Sequence, residues 1–244
     1  MKKARIVSYS EEIFQGRHEA ACLLAEELKK FQGKNAVVLG IPRGGLLIAD
    51  EIASRIAADL DIVLSRKLGS PGNPELAIGA VAEDGYVFIN EAIVGQLESR
   101  AEYIEQEKAR QVEVIKHRIE QYRKILPKAP LKDRTVIITD DGVATGATMQ
   151  AALWATRRES PRRIIAALPV GPVDTIKKLA EDADEIVCLR CPAFFAAIGQ
   201  FYYDFTQVKD DEVLEILKKE AERKASCSRR LGIKIFRLRQ QKSD

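Results

Sequence analysis

The sequence predicts an α/β fold in which a parallel β-sheet is flanked by helices. Short runs that are apolar throughout recur along the 244 residues, separated by stretches with helical periodicity. These runs lack the polar alternation of a strand with one exposed face, so they are typical of strands covered by helices on both sides. Hydrophobic residues make up 46% of the chain, which is enough to build a core. Ligands in such folds bind at the carboxyl ends of the strands.

Each element is predicted from its own pattern. A helix with Ala20, Leu24 and Leu28 on one face precedes the first strand, and a helix over 44–58 follows it. Further helices are predicted over 146–158, after a cap at Asp174, and over 211–224. The strands are predicted at 36–39, 62–64, 136–138, 164–168 and 186–189. This alternation, with short turns, indicates parallel strands joined by crossover helices.

A long segment, from about residue 91 to 126, departs from the alternation. It has few helix breakers, and it carries a narrow apolar seam on a strongly charged helix. The seam consists of Val112, Ile115, Ile119, Tyr122 and Leu126. The simpler interpretation is that the seam packs on the protein's own sheet, and the alternative is that part of it forms a homodimer contact.

Charge is distributed unevenly along the chain. Lys and Arg number 39 against 36 Asp and Glu, which gives +3, well short of the excess expected of a dedicated nucleic-acid binder. From Arg223 onward the net charge is +7, so the first 222 residues carry −4. Residues 225–244 are therefore a basic tail. We expect a frayed end there, with a short edge strand or a nucleic-acid or membrane contact as alternatives.

Two further features limit the function classes. No run of about 18 apolar residues occurs, and the amino terminus leads into polar sequence, so we expect a cytoplasmic protein without a membrane partner. Cys188 and Cys191 form one Cys-x-x-Cys motif, but no second pair accompanies it. His18 and His117 lie far away in sequence, which favours buried or incidental cysteines over a zinc site or a redox pair.

The most informative segment runs from Arg134 to Met149. A buried strand delivers two adjacent carboxylates, Asp140 and Asp141, to its carboxyl end, and a turn of small residues then opens a helix. Backbone N–H groups in such a turn can close on a phosphate, and the helix dipole favours the anion. Carboxylates bind sugar diols and hold Mg²⁺. A ligand with a phosphate, a diol and magnesium is a ribose 5-phosphate derivative, and no lysine-bearing nucleotide P-loop is present.

Residues 136–148 resemble the signature of the type I phosphoribosyltransferases for 5-phospho-α-ribosyl 1-pyrophosphate (PRPP). The signature is an apolar strand, two acids and a Thr-Gly-x-Thr turn. The resemblance implies that Asp140 and Asp141 engage the ribose hydroxyls and that the turn binds the 5-phosphate. The turn residues are Gly142, Ala144, Thr145, Gly146, Ala147 and Thr148. It also implies a cytoplasmic enzyme that uses Mg²⁺ carried by PRPP and that usually dimerises.

Two more segments resemble parts of this family. The turn after the strand at 36–39 reads Ile-Pro-Arg-Gly-Gly and resembles the pyrophosphate loop, with Arg43 on the pyrophosphate and Gly44 and Gly45 allowing close approach. Residues 65–77 are rich in turn formers and occupy the place of the family's flexible catalytic loop. We expect a mobile loop there, with Arg66 and Lys67 contacting the pyrophosphate.

The resemblance covers about residues 30 to 205 and implies one domain over 1–224, with the long helical insertion and a small hood at about 190–206. The hood is the expected base-reading element. Its aromatic residues from Phe194 to Phe205 could stack on a base or form core. Family members that act on 6-oxopurines commonly carry an aspartate where this chain has Ala144 and a lysine where it has Leu168-Pro169, so 6-oxopurines are disfavoured.

The expected reaction is transfer of the phosphoribosyl group from PRPP to a nucleobase or related nitrogen acceptor, with release of pyrophosphate. Magnesium, Arg43, Arg66 and Lys67 would stabilise the charge of the leaving group, and no protein nucleophile is needed. The alternative is a non-catalytic regulator that senses PRPP or a nucleotide and touches nucleic acid through the basic tail. A pure interaction scaffold does not explain two anion-binding turns beside an acidic pair.

Overall fold

The computed structural model describes residues 3–71, 73–90 and 101–240, and these residues form nine strands and six α-helices. The strands are β1 (Lys3–Ser8), β2 (Ala36–Gly40), β3 (Asp59–Ile62), β4 (Ser65–Ser70), β5 (Asn73–Ala82), β6 (Val87–Ile89), β7 (Thr135–Thr139), β8 (Arg163–Val170) and β9 (Glu185–Arg190). The helices are α1 (Arg17–Leu28), α2 (Gly44–Ile56), α3 (Ala101–Arg123), α4 (Ala147–Arg157), α5 (Val173–Leu179) and α6 (Asp210–Gln240).

The main sheet confirms the predicted α/β class. Its six strands lie in the order β1-β9-β8-β7-β2-β3, and every neighbouring pair is parallel. Alternate side chains enter two different cores, because successive residues of a strand point to opposite faces. Val38 and Ile137 pack with helices α1 and α2, whereas Val37 and Val136 pack with α4 and α5. Strand burial on both faces explains why the runs are apolar throughout.

The structure differs from the sequence prediction in a second, three-stranded antiparallel sheet, β4-β5-β6. Residues 65–77, predicted as a mobile loop, are strand β4 and the first half of β5. Small apolar residues cause the difference: Ala77 and Ala80 pack on α4 against Ala151 and Trp154. The turn formers gather at the reversal between the two strands, where Ser70 pairs with Asn73.

Several boundaries also differ. Strand β3 ends at Ile62, where the prediction had it begin, and β1 and β6 were not predicted. The N-cap of α5 is Pro172, and Asp174 lies in the first turn. Strand β1 reads Lys-Ala-Arg-Ile-Val-Ser, which is too polar to match an apolar run, because it is the edge strand of the sheet and pairs only with β9.

The predicted helical insertion at about 91–126 is α3 within the described residues, and 91–100 lie outside them. Its seam packs within the protein: Ile115, Tyr122 and Leu126 are buried in the core, and Val112 and Ile119 pack against it. The partner surface is the small antiparallel sheet, since α3 contacts β4 and β5. The structure therefore confirms the simpler interpretation of the seam, with the second sheet in place of the main one.

The basic tail is helical rather than frayed or an edge strand. Helix α6 was predicted to end at Lys224 and continues to Gln240, and 241–244 lie outside the described residues. Its first half is anchored by Val213 and Leu217, which are buried against the core, and by Glu220, which accepts a hydrogen bond from the Leu60 N–H at 3.2 Å. Among the described helices, none is both long and apolar enough to cross a membrane.

Candidate active site

Two strand-to-helix turns meet at the carboxyl edge of the main sheet. Strands β2 and β7 are neighbours, and their register pairs Gly40 with Thr139, so the segments that follow them lie side by side. The contact between the turns is close. A Cβ at Gly44 would overlap the Asp141 carboxylate, and one at Gly45 would lie 2.7 Å from the Thr139 carbonyl oxygen. Glycine is therefore required at both positions by the neighbouring turn, in addition to any need of a ligand.

The acidic pair lies in this contact. Asp140 Oδ1 accepts the Asp141 N–H at 2.9 Å, and Asp141 Oδ2 accepts hydrogen bonds from Arg17 Nε at 3.2 Å and Nη2 at 3.0 Å. Burial, reinforced by the charge on Asp141, raises the pKa of Asp140 well above its usual value. Burial also raises the pKa of Asp141, although Arg17 opposes that rise. Cations or hydrogen-bond donors of a bound ligand would therefore stabilise the ionised form of this pair.

The turn between β7 and α4 has the backbone of an anion site. Gly142 and Gly146 adopt positive φ angles of 156° and 78°, which glycine accommodates readily. Helix α4 begins at Ala147, so the turn leads directly into a helix N-terminus. Thr175 donates a hydrogen bond to the Ala144 carbonyl oxygen at 2.8 Å and so holds the turn from outside. Thr145 and Thr148 remain exposed at its surface.

Four arginines and the acidic pair line one open cavity of about 680 Å³. The arginines are Arg17, Arg43, Arg66 and Arg118, and Gly44 and Thr148 complete the side nearest the two turns. Arg43 extends to 3.9 Å from the Asp210 carboxylate, and Arg66 Nε donates to Gln111 Oε1 at 2.8 Å. Burial lowers the pKa of Arg66, and the nearby charges of Arg118 and Arg110 lower it further. This cavity therefore concentrates positive charge.

The structure separates one predicted residue from the rest. Lys67 follows Arg66 in strand β4 and lines an adjoining cavity of about 260 Å³. The two cavities share Arg66 and Thr148. Arg43, Arg66, Asp140 and Asp141 thus face one cavity together, and Lys67 lies beside it.

The aromatic hood is partly core and partly cavity lining. Phe201 and Tyr202 are buried, and Tyr202 donates a hydrogen bond to the Asp141 carbonyl oxygen at 2.7 Å. Phe205 lines the large cavity, stacks on Tyr202 and lies 4.1 Å below the Arg17 guanidinium. Phe194 and Tyr203 are largely exposed. The hood thus fixes the acidic turn and Arg17 while presenting one aromatic ring to the cavity.

Comparison with known proteins identifies the family. The model of the phosphoribosyl transferase domain matches residues 10–206, which is most of the chain. The chain belongs to this family. Two Mycobacterium tuberculosis proteins, from strains CDC 1551 and H37Rv and each named provisionally as a phosphoribosyl transferase, are 42% identical over 205 residues. That match covers 84% of this chain, and the chain spans only 46% of each relative's length.

A solved structure shows the same fold. The protein TT1426 from Thermus thermophilus is 45% identical, with a TM-score of 0.79 over 85% of this chain and 98% of that chain. The type I phosphoribosyltransferase resemblance drawn from residues 136–148 is therefore confirmed at the level of family and fold.

Sequence reasoning missed two residues that line the large cavity, Arg17 and Arg118. Arg17 begins α1, and no local pattern marks it, because only folding brings it to Asp141. Arg118 did leave a signal. It lies between Ile115 and Tyr122 on the buried face of α3, where a charged residue needs a partner or a ligand.

The Cys-x-x-Cys motif lies apart from this cavity in the family fold. Cys188 and Cys191 are free thiols with their sulfur atoms 3.6 Å apart, and both are buried. Cys188 also donates to the Arg190 carbonyl oxygen at 3.4 Å. Burial at the end of β9 supports the prediction of buried or incidental cysteines.

Proposed function

We propose that this protein transfers the 5-phosphoribosyl group from PRPP to a nucleobase or related nitrogen acceptor and releases pyrophosphate. The observation that carries the proposal is the charge of the large cavity. Four arginines face two aspartates there, which leaves two positive charges in excess, although the first 222 residues carry −4. A cavity of that sign beside two carboxylates suits a ligand with phosphates at its ends and a diol between them.

Each group has a role in the proposed reaction. The turn Gly142–Thr148 would bind the 5-phosphate through its backbone N–H groups, and Asp140 and Asp141 would accept hydrogen bonds from the ribose hydroxyls. Arg43, Arg66 and Arg118 would hold the pyrophosphate and stabilise its charge as the bond to the ribose breaks. Lys67 would contribute from the adjoining cavity. Arg17 would keep Asp141 ionised and oriented, because its guanidinium already bonds that carboxylate.

Magnesium fits this donor set. The ion prefers oxygen ligands and is held by one or two carboxylates together with substrate phosphates, and Asp140 and Asp141 present carboxylates at the cavity. These two residues would hold the ion with the pyrophosphate of PRPP. When bound, Mg²⁺ supplies charge neutralisation to the leaving pyrophosphate.

The acceptor would enter beside the hood. Phe205 offers an aromatic face, and Gln207 and Val208 line the same side of the cavity. Ala144 and Leu168-Pro169 replace the residues that 6-oxopurine enzymes commonly use, so we propose an acceptor other than hypoxanthine or guanine. We also propose a cytoplasmic homodimer as the working form.

A pyrophosphate-release assay with PRPP, Mg²⁺ and a panel of purines, pyrimidines and simple amines tests the proposal. We expect release with at least one acceptor. We also expect Asp141→Asn and Arg43→Ala to weaken PRPP binding by at least tenfold in calorimetry, about 1.4 kcal/mol. Arg162→Ala is the matched control, because Arg162 is exposed and lies outside the cavity lining.

Two results would contradict the proposal. Unchanged PRPP affinity in Asp141→Asn and Arg43→Ala would remove the site. Tight PRPP binding with no release across the panel would replace the transferase with the regulator. In that case deletion of residues 225–244 would test whether the basic end of α6 binds nucleic acid.

A further inference from the structure

A cluster of three different donor side chains lies on the outer surface between α1 and α2. His18 and Cys22 are one turn apart on α1, so they share a face, and Glu51 approaches them from α2. Cys22 Sγ lies 3.6 Å from His18 Nε2 and 3.8 Å from Glu51 Oε1, and His18 Nδ1 lies 3.5 Å from Glu51 Oε2. None of these side chains lines the large cavity.

The three contacts use both His18 nitrogens and both Glu51 oxygens, so binding one metal ion needs one nitrogen and one oxygen to turn toward Cys22 Sγ. Zn²⁺ bonds of about 2.3 Å to sulfur and about 2.0–2.2 Å to nitrogen and oxygen place tetrahedral ligands roughly 3.3–3.6 Å from one another. One ligand atom from each side chain can be chosen so that all lie within 4.8 Å of one another, so small side-chain rotations suffice to reach those separations. The His18 side chain is 75% exposed and is therefore free to turn either nitrogen inward.

Each of the three side chains contacts the other two. Cys22 Sγ faces His18 Nε2 and Glu51 Oε2 faces Nδ1 on the far side of the ring, which are the two contacts of a relay of nucleophile, base and orienting acid. The third contact, between Cys22 Sγ and Glu51 Oε1, has no part in a relay. It gathers the three side chains around one point, as a shared metal ion requires.

The surroundings also suit a metal. Arg55 Nε donates to Glu51 Oε1 at 2.5 Å, so Oε2, which faces His18 Nδ1, is the carboxylate oxygen available to an ion. A cation that bonds one oxygen of a carboxylate and so orients the other is a common outer partner of metal ligands. Thiolate with imidazole selects soft or borderline ions such as Zn²⁺ over Mg²⁺. The exposed side at His18 leaves room for water as a fourth ligand.

We propose that His18, Cys22 and Glu51 form a Zn²⁺ site that is separate from the phosphoribosyl transferase cavity. The ion would tie the first turns of α1 to α2. Arg17, the residue before His18, bonds Asp141, so the proposed site would steady the helix turn that carries an active-site contact. Zn²⁺ binding would release the Cys22 thiol proton to solvent, since the thiolate is the ligand.

Cobalt titration of the untagged, reduced and chelator-treated full chain tests the site. We expect one equivalent of Co²⁺ to produce a thiolate-to-cobalt charge-transfer band, and Zn²⁺ to displace it. Cys22→Ser should abolish the band. Glu51→Gln should weaken Co²⁺ binding at least tenfold while the far-ultraviolet circular dichroism stays that of the parent, which separates loss of a ligand from loss of the fold.

Matched controls come from the same chain. Cys227→Ser, His117→Ala and the double variant Cys188→Ser/Cys191→Ser should keep the band, because none of them alters the cluster. The proposal is overturned if the parent protein shows no band, if Cys22→Ser retains it, or if the double variant loses it. The readout does not depend on transferase activity, so it is unaffected by the fate of the proposed reaction.

Discussion

Two partly or wholly buried acidic centres of this protein use the same residue types in opposite ways. Asp61 in β3 accepts hydrogen bonds from Arg123 at 2.6 Å and from the N–H groups of Ile62 and Ala129 at 2.7 and 2.8 Å. Asp140 and Asp141, by contrast, are adjacent in sequence, and the Arg17 guanidinium donates its hydrogen bonds to Asp141. Groups of the protein supply the hydrogen bonds of the first centre, whereas the second centre has room for donors from a ligand.

The charge around the two centres shows the same contrast. Arg123 also bonds Glu83, so this one guanidinium is paired with two carboxylates of the protein. At the cavity, four arginines and two acids line the surface. A centre whose charges are paired within the protein stabilises a fold, while a cavity with charge in excess is suited to a charged ligand. Three variants test this distinction, from the largest expected effect to the smallest.

Asp61→Asn should destabilise the protein most. Burial raises the pKa of Asp61 as it does that of Asp140, but Asp61→Asn also leaves the buried Arg123 guanidinium without one of its carboxylates. Breaking such a pair typically costs about 3 kcal/mol or more. We expect the melting temperature to fall by roughly 6–12 °C, measured by calorimetry. Asp174→Asn, at a fully exposed side chain, should change it by less than about 2 °C. A similar melting temperature in both variants would refute the structural role of Asp61.

Arg118→Ala should weaken PRPP binding by about 3- to 10-fold, at most 1.4 kcal/mol, because one of the four cavity cations is lost. The effect should shrink as salt is raised, since an open cavity is screened. Lys116→Ala is the control on the same helix, as its side chain is exposed, lies 3.9 Å from the Glu113 carboxylate and lines neither cavity. Equal loss of affinity in both variants would mean that α3 acts only through general charge.

Asp140→Asn should raise stability slightly at neutral pH. The raised pKa of Asp140 means that ionising this carboxyl in the folded state costs free energy. The protonated Asp140 carboxyl avoids this cost, so its contribution to stability is fully present below the unfolded pKa of about 4. That contribution is lost as pH rises through the folded pKa of Asp140. We expect the variant to melt at a higher temperature than the parent at pH 7 and no higher below about pH 4. A variant that is less stable than the parent at pH 7 would contradict the conclusion that ionised Asp140 destabilises the folded state.

The Asp140 variant also separates stability from function. Its affinity for PRPP should fall although its melting temperature rises, because residues that serve a ligand are often not optimal for the fold. The Asp61 variant should show the reverse pattern, with PRPP affinity close to that of the parent at temperatures where it remains folded. The two results together would establish which acidic centre serves the fold and which serves the ligand.

Local sequence was sufficient for the main sheet and for one half of the site. Apolar runs such as 136–138 have no alternation because both faces are buried, so the parallel sheet followed directly. The acids at 140 and 141, with the glycine turn behind them, lie on a single strand-turn-helix segment that can be interpreted without its neighbours. The β4-β5 hairpin was not predictable in this way. Its sequence is rich in turn formers, and its small residues form a strand because they pack on α4.

The sequence by itself determined the α/β class, the family, the acidic pair and the two glycine turns, because each depends on residues close together in the chain. The tertiary structure alone decided that Arg17 bonds Asp141, that Arg118 joins the cavity and Lys67 lies beside it, and that His18, Cys22 and Glu51 meet. These are contacts between elements distant in sequence. They depend on strand register and on which helix face is buried, and the sequence of one segment alone determines neither.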